Sequence, residues 1–91
     1  MRVQVKLFSI LRDCLPPGAA RNHTTIELEQ GARLVDLITH LGIDRRLGHA
    51  AETLSTVAGW QVLINGQFES DMSRTLADGD QVQIFPPVAG G

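Results

Sequence analysis

The most specific residues of this sequence stand at its carboxyl end, where two prolines precede progressively smaller side chains in the order Phe85-Pro86-Pro87-Val88-Ala89-Gly90-Gly91. Proline fixes φ and donates no backbone hydrogen bond, so a strand that reaches Phe85 ends there and the chain continues extended. Six extended residues span about 20 Å. Because Gly90 and Gly91 carry no Cβ, this segment can bring a terminal carboxylate into a narrow site on another protein. The alternative is a frayed end without function.

Residue types that bind metals or act as nucleophiles are scattered elsewhere in the chain. His23, His40 and His49 lack metal-ligand spacing and no cysteine cluster accompanies them, so we expect no metal site. Cys14 is the only cysteine, and Arg12 beside it would lower a thiol pKa. No histidine is near Cys14 in sequence, however, which favours a buried or incidental thiol over a nucleophile.

No segment has the pattern of an active site. Asp78 and Asp80 flank Gly79 as turn-forming residues commonly do, which favours a turn over a carboxylate pair for acid–base chemistry. Trp60 is expected at the edge of the core, with interface anchoring as the alternative. No glycine-rich phosphate loop stands between a strand and a helix. The sequence therefore predicts a carrier, a modifier or a binding module without an active site of its own.

The composition is that of one small globular domain. The 91 residues are 43% apolar and 20% charged, so disorder is not expected. A net charge of −2 and the lack of a dense basic run argue against binding to nucleic acid or to an anionic membrane. No apolar run approaches the roughly 20 residues that span a bilayer. The alternating start predicts a strand and no signal peptide, and the lone cysteine fits a reducing cytosol, so we expect a cytoplasmic protein.

Alternation of polar and apolar residues predicts a first strand with Val3, Val5 and Leu7 on one face. Phe8 falls on the other face, which is expected to be polar. It is either covered by the chain itself or exposed as an apolar anchor for a partner. Residues 11–22 hold a Pro-Pro-Gly turn signal and are expected to be mostly loop, with a helical turn near Arg12. Residues 24–29 alternate again and predict a second strand, antiparallel to the first.

The clearest helix has apolar residues at i, i+3, i+4 and i+7 on one face, namely Leu34, Leu37, Ile38 and Leu41. Gly42 is predicted to end it, with Ile43 as the apolar contact beyond. The helix starts without the usual capping hydroxyl, and Asp36 in the first turn partly compensates through the helix dipole. A short helix over residues 44–51 is predicted, capped by Asp44 and weakened by Gly48.

Three further strands complete the predicted fold. Gln61–Ile64 is a short apolar strand, the following Asn-Gly pair signals a two-residue hairpin, and Gln67–Phe68 returns briefly. Gln81–Phe85 alternates as the last strand. One helix with one apolar stripe has to bury that stripe against a sheet, so we expect an α+β fold of the β-grasp kind with a mixed sheet of four or five strands. The β-grasp domain is expected over residues 1–85, and a flexible C-terminal Gly-Gly tail over residues 86–91.

The last sixteen residues read Leu76-x-Asp78-Gly79-Asp80-x-Val82-x-Ile84-Phe85-Pro86-Pro87-Val88-Ala89-Gly90-Gly91. This motif resembles the end of the small subunit of molybdopterin synthase (MoaD-like), a family of β-grasp, ubiquitin-like sulfur carriers. The resemblance extends to Val5-x-Leu7-Phe8 and to Leu63-Ile64-Asn65, so it covers nearly the whole chain. Its specific part is the Phe-Pro-Pro-Val-x-Gly-Gly ending. The loop over residues 15–22 and the segment over residues 44–60 depart from the pattern and leave the branch of the family open.

The resemblance implies a chemistry for the tail. A carboxylate ionised at pH 7 is a poor electrophile. By resemblance, a ubiquitin-activating-type enzyme adenylates Gly91 with ATP and magnesium, and a persulfide sulfur from a sulfurtransferase displaces AMP to leave a thiocarboxylate. The carrier then docks on the large subunit of molybdopterin synthase, in a heterotetramer, and donates sulfur to precursor Z. The chain itself is expected to bind no cofactor.

The resemblance also implies the site residues. Gly91 carries the reacting carboxylate, and Gly90 keeps a Cβ out of a tunnel that is closed to water. Phe8 and Phe85 form the apolar docking patch, and the partner-binding residues of the tail are Pro86, Pro87, Val88 and Ala89. The alternatives are a sister sulfur carrier for thiamine or cysteine synthesis, a ubiquitin-like protein modifier, and a β-grasp binding module whose glycines are incidental.

Overall fold

The computed structural model describes residues 1–87 of the chain. These residues form five strands, two α-helices and two 3-10 helices. In chain order the strands and α-helices are Arg2–Leu7 (β1), His23–Glu27 (β2), Leu34–Leu41 (α1), Ile43–Leu47 (α2), Gln61–Ile64 (β3), Gln67–Phe68 (β4) and Gln81–Phe85 (β5). The 3-10 helices are Ser9–Cys14 and Ala51–Thr53.

All five strands belong to one mixed sheet in the order β2-β1-β5-β3-β4. The first and last strands are parallel neighbours at its centre, and the other three pairings are antiparallel. The predicted antiparallel pairing of β1 and β2 is confirmed, with Val3 opposite Ile26. A mixed sheet of this order with one main helix against it is the β-grasp arrangement, which confirms the predicted fold class.

The core lies between α1 and one face of the sheet. All four apolar residues predicted on the helix stripe are buried, and the alternating inward residues of the three central strands are buried with them. Burying each such side chain contributes roughly 1.5–3 kcal/mol, so this face supplies most of the drive for folding. The sheet residues in this layer are Val3, Val5, Leu7, Val62, Ile64, Val82 and Ile84.

The ends of α1 follow the predicted signals with one addition. Gly42 ends the helix at φ +75°, where its N–H bonds back to Ile38 and Thr39 carbonyls, and Ile43 beyond it is buried. At the start, the Asp36 carboxylate accepts the backbone N–H of Arg33 at 2.8 Å. Asp36 therefore supplies half of a capping box directly, besides its favourable interaction with the helix dipole.

Three predicted boundaries are wrong. The helix expected over residues 44–51 is the five-residue α2, which begins at Ile43 and ends where Gly48 adopts φ +63°. Asp44 lies in its first turn and is not its cap, because Gly42 already occupies the cap position. The second strand ends at Glu27, two residues before its predicted end, and the first ends at Leu7, so Phe8 lies just past it.

A buried carboxylate joins the start of β5 to the β3–β4 hairpin. Asp80 is 8% exposed and accepts two hydrogen bonds, from the Ala77 backbone N–H at 2.8 Å and from the Asn65 amide at 2.9 Å. The Asn65 side-chain oxygen in turn accepts the Gln81 backbone N–H at 2.9 Å. Asp78 accepts the Arg2 backbone N–H at 2.7 Å. Both carboxylates are therefore turn and strand connectors, as the sequence favoured.

We predict that Asp80→Ala lowers the free energy of unfolding by about 1–3 kcal/mol, because it removes the buried acceptor of two part-buried hydrogen bonds. Urea denaturation followed by circular dichroism measures this change. The matched control is Asp13→Ala, which removes an exposed carboxylate paired with Arg46 at 3.4 Å. Its cost is expected to be about 0–1 kcal/mol. Equal losses for the two variants would contradict the structural role of Asp80.

Candidate functional site

The sheet face opposite α1 is not covered by any helix among residues 1–87. Successive side chains of a strand point to opposite faces, so the strand residues between the buried core residues lie on this uncovered face. Across the sheet these outward residues form rows, because the strand registers pair Lys6 with Gln83, Gln83 with Leu63, and Leu63 with Phe68. We call this surface the open face.

At one end of the open face, Phe8 and Phe85 stack with ring centroids 4.2 Å apart and planes 11° from parallel. The parallel pairing of β1 and β5, with Leu7 opposite Ile84, brings these two residues together. Each ring is half-buried. Phe8 is therefore partly covered by the chain itself and partly exposed, because Phe85 covers one side of its ring while the stack as a whole stays accessible. An accessible aromatic stack is suited to contact with a partner protein.

The stack stands at the base of the C-terminal segment. Pro86 is half-buried and Pro87 is exposed. Gly59 adopts φ +80°, and a Cβ built on it would lie 3.6 Å from the Cβ of Pro87, so the loop before Trp60 touches the second proline. Trp60 itself is 7% exposed, which agrees with the expected core position. The base of the tail therefore follows the aromatic stack directly in sequence and lies close to this loop.

Two apolar residues of the open face were missed from the sequence. Phe68 on the two-residue strand β4 is 73% exposed, and it lies opposite the half-buried Leu63 of β3. The signal was present, since Leu63 alternates with buried neighbours and Phe68 follows a hairpin turn by one residue. This alternation predicts strands, and Leu63 also belongs to the motif that carries the family resemblance, but neither signal shows that the two residues share one surface.

The other candidate residues have structural partners. His23 Nε2 lies 2.6 Å from the Gln4 side-chain oxygen, and His49 Nε2 lies 3.0 Å from the Thr53 hydroxyl. His40 is exposed at the end of α1. Among residues 1–87, no three histidine, cysteine, aspartate or glutamate side chains stand together as a metal ion would require.

The Cys14 thiol is half-buried beside Arg46 and Asp13. Burial raises the pKa of this thiol above its ordinary value, against the lowering effect of Arg46, while Asp13 and Asp44 raise it further. A thiol with a raised pKa is mostly protonated near pH 7 and is a weak nucleophile. The structure thus agrees with an incidental thiol at this position.

Four of the predicted site residues, Val88, Ala89, Gly90 and Gly91, lie outside the described residues. Of the predicted set, the structure brings Phe8, Phe85, Pro86 and Pro87 together at one end of the open face. Within residues 1–87, no helix is both long and apolar enough to cross a membrane.

Comparison with solved structures finds relatives over the whole chain. A protein from Pyrococcus furiosus assigned as molybdopterin converting factor subunit 1 is 31% identical, with 96% of this chain and 98% of that chain covered and a TM-score of 0.69. The small archaeal modifier protein 1 (SAMP1) from Haloferax volcanii is 25% identical over 100% of both chains, with a TM-score of 0.64. A chain in the complex of subunits 1 and 2 of molybdopterin-converting factor from Helicobacter pylori 26695 is 22% identical over 100% of both chains, with a TM-score of 0.57. At that identity the last similarity shows the fold alone.

The family comparison covers the tail as well as the body. No significant match was found among curated protein sequences. The sequence profile of the ThiS family, however, matches residues 5–91, which is nearly the full chain and includes both terminal glycines. This protein therefore belongs to the ThiS family, the ThiS/MoaD group of ubiquitin-like β-grasp proteins.

Proposed function

We propose that this protein is the sulfur-carrying small subunit of a molybdopterin synthase. The observation that carries the proposal is the Phe8–Phe85 stack, which stands on the open face directly before the Pro-Pro-Val-Ala-Gly-Gly segment. The 31% identity to the Pyrococcus furiosus protein assigned as molybdopterin converting factor subunit 1 supports it. An apolar docking surface beside an extended arm is what a carrier needs in order to insert its end into a partner.

The proposed chemistry takes place at Gly91. A carboxylate oxygen attacks the α-phosphorus of ATP on an adenylating enzyme, and pyrophosphate leaves. The terminal sulfur of a persulfide then attacks the acyl carbon, AMP leaves, and a second thiol cleaves the sulfur–sulfur bond to release the thiocarboxylate. ATP and magnesium belong to the adenylating enzyme in this proposal. The chain contributes a reacting end without a Cβ at either of its last two positions.

The body of the protein has the task of docking. The Helicobacter pylori structure is a complex of subunits 1 and 2 of the molybdopterin-converting factor. By analogy, we propose that a large subunit covers the open face of this chain and receives the tail, in a heterotetramer, so that the thiocarboxylate sulfur attacks precursor Z. Pro86 and Pro87 restrict the directions in which the arm leaves the sheet.

A ubiquitin-like protein modifier is the second candidate. It is favoured by the 25% identity to SAMP1 over the full length of both chains. A modifier uses the same adenylated glycine, but a lysine amine replaces the persulfide as the nucleophile and the product is an isopeptide.

Incubation with ATP, magnesium, a cognate adenylating enzyme and a sulfur donor should replace one oxygen of the chain by sulfur. Intact-mass spectrometry measures the gain, and a Gly91 deletion should abolish it. The control is Cys14→Ser, which should gain the same mass as wild type because the exchange takes place at Gly91. A persulfide on Cys14 would instead add a whole sulfur atom, and the Cys14→Ser variant could not form it. Lysine-linked adducts in place of the sulfur-for-oxygen exchange would assign the modifier function.

Phe8→Ala and Phe85→Ala should each weaken binding to the large subunit by about 1–3 kcal/mol, as expected for aromatic anchors of an interface. Calorimetric titration measures the affinity, and thermal melts show that each variant is folded. His40→Ala, on the exposed side of α1, is the matched control and should bind as wild type does. An unchanged affinity for both phenylalanine variants would refute the docking role of the stack.

A further inference from the structure

The middle of the open face holds a depression of about 280 Å³. It lies between the Phe8–Phe85 stack at one end and the Arg2–Glu27 ion pair at the other. Five of its six lining residues have polar side chains, and they come from the three adjacent strands β2, β1 and β5. We call this depression the Lys6 pocket; its residues are Gln4, Lys6, His23, Gln81, Val82 and Gln83.

The hydrogen bonds within the pocket leave side-chain donors without an acceptor among the described residues. The Gln4 side-chain oxygen is used twice, by His23 Nε2 at 2.6 Å and by the Thr25 hydroxyl at 3.1 Å. An amide oxygen only accepts, so His23 donates from Nε2, and the Gln4 NH₂ group remains to donate. None of the hydrogen bonds found among residues 1–87 uses that NH₂ group or the Lys6 ammonium. A pocket with surplus donors is suited to a group that only accepts, and an ionised carboxylate is such a group.

The charges on the strands of this face also favour an ionised carboxylate. Within the described chain, the outward charged residues on β1, β2 and β5 are Arg2, Lys6 and Glu27. Glu27 pairs with Arg2 at 3.0 Å, and no salt bridge within residues 1–87 involves Lys6. These strands therefore present one unmatched positive charge on a chain whose net charge is −2. Lys6 is also the single lysine of the sequence.

We infer that the Lys6 pocket receives an aspartate or glutamate side chain of the protein that docks on the open face. This inference rests on the proposed function, and it adds a contact that fixes the orientation of the partner. The row that links Lys6 through Gln83 to Leu63 and Phe68 makes the pocket continuous with the apolar residues. Lys6 and Gln83 also precede Phe8 and Phe85 by two residues on the same face, so the pocket adjoins the aromatic stack, and a protein that covers the stack lies over Lys6.

A second copy of this chain does not fit the pocket. Among the described residues, the outward carboxylate of the strands that line the pocket is Glu27, and it already pairs with Arg2 at 3.0 Å. A symmetric dimer through these strands would therefore cover Lys6 without neutralising it, which is unfavourable. A partner carboxylate, by contrast, would neutralise Lys6 as water leaves, and it would speed encounter at low ionic strength.

The test measures binding of Lys6→Met, Lys6→Glu and Lys6→Arg to the large subunit and to the adenylating enzyme at two salt concentrations. For at least one of these partners, Lys6→Glu should bind at least about tenfold more weakly than wild type, and Lys6→Met should bind several-fold more weakly with a smaller salt dependence. Lys6→Arg should bind within about threefold of wild type, since it keeps the charge. The matched control is Arg45→Met on the exposed surface of α2, which changes net charge equally and should bind within about twofold.

A scan of Asp→Lys and Glu→Lys variants on the partner should find one that restores binding of Lys6→Glu. The inference is overturned if Lys6→Glu binds both partners as wild type does, or if Arg45→Met loses as much affinity as Lys6→Met. It is also overturned if free glutamate or inorganic phosphate alone occupies the pocket at sub-millimolar concentration, or if Lys6 variants abolish a dimer of this chain seen by sedimentation. Failure of the wild-type protein to bind either partner would remove the proposed function and this inference together.

Discussion

A single helix with one apolar stripe can cover only one face of a five-stranded sheet, and the rest of this molecule follows from that limit. The stripe of α1 closes the core against the inward residues of β1, β5 and β3. The opposite face is left to polar side chains and to four apolar ones, which are Phe8, Leu63, Phe68 and Phe85. Accessible aromatic rings on one uncovered face are suited to contact with another protein.

Local patterns were sufficient to predict the main helix and the strands, but not which residues of different elements become neighbours in the fold. The spacing of Leu34, Leu37 and Ile38 predicted α1, and Gly42 predicted its end, because both signals act within a few residues. The predicted bounds of α2 were wrong at both ends. Gly48 ends the helix early, and Gly42, which ends α1, also occupies the cap position at the start of α2. The family likeness of the tail was visible in the sequence because its motif is contiguous.

The features missed or left open all depend on register between strands that are distant in sequence. Phe8 could not be assigned from its own strand, since the residue that stacks on it is contributed by β5. Leu63 and Phe68 stand on separate strands, and only the pairing of β3 with β4 puts them side by side on one surface. The surroundings of Lys6 come from three strands at once, so no window of the sequence contains them. The division of the chain at residue 85 and the roles of the last four residues remain predictions.

The parallel pairing of β1 with β5 also determines when during synthesis the fold can be completed. The β3–β4 hairpin and α1 consist of contacts between segments close in sequence, whereas β1 and β5 at the centre of the sheet are the first and last strands of the described residues. Non-local pairing of this kind is slow compared with local helix or hairpin formation. A chain truncated before β5 therefore lacks the centre of its sheet, the aromatic stack and one wall of the open face. Completion of the sheet therefore requires translation through Phe85, the residue that precedes the Pro-Pro-Val-Ala-Gly-Gly segment.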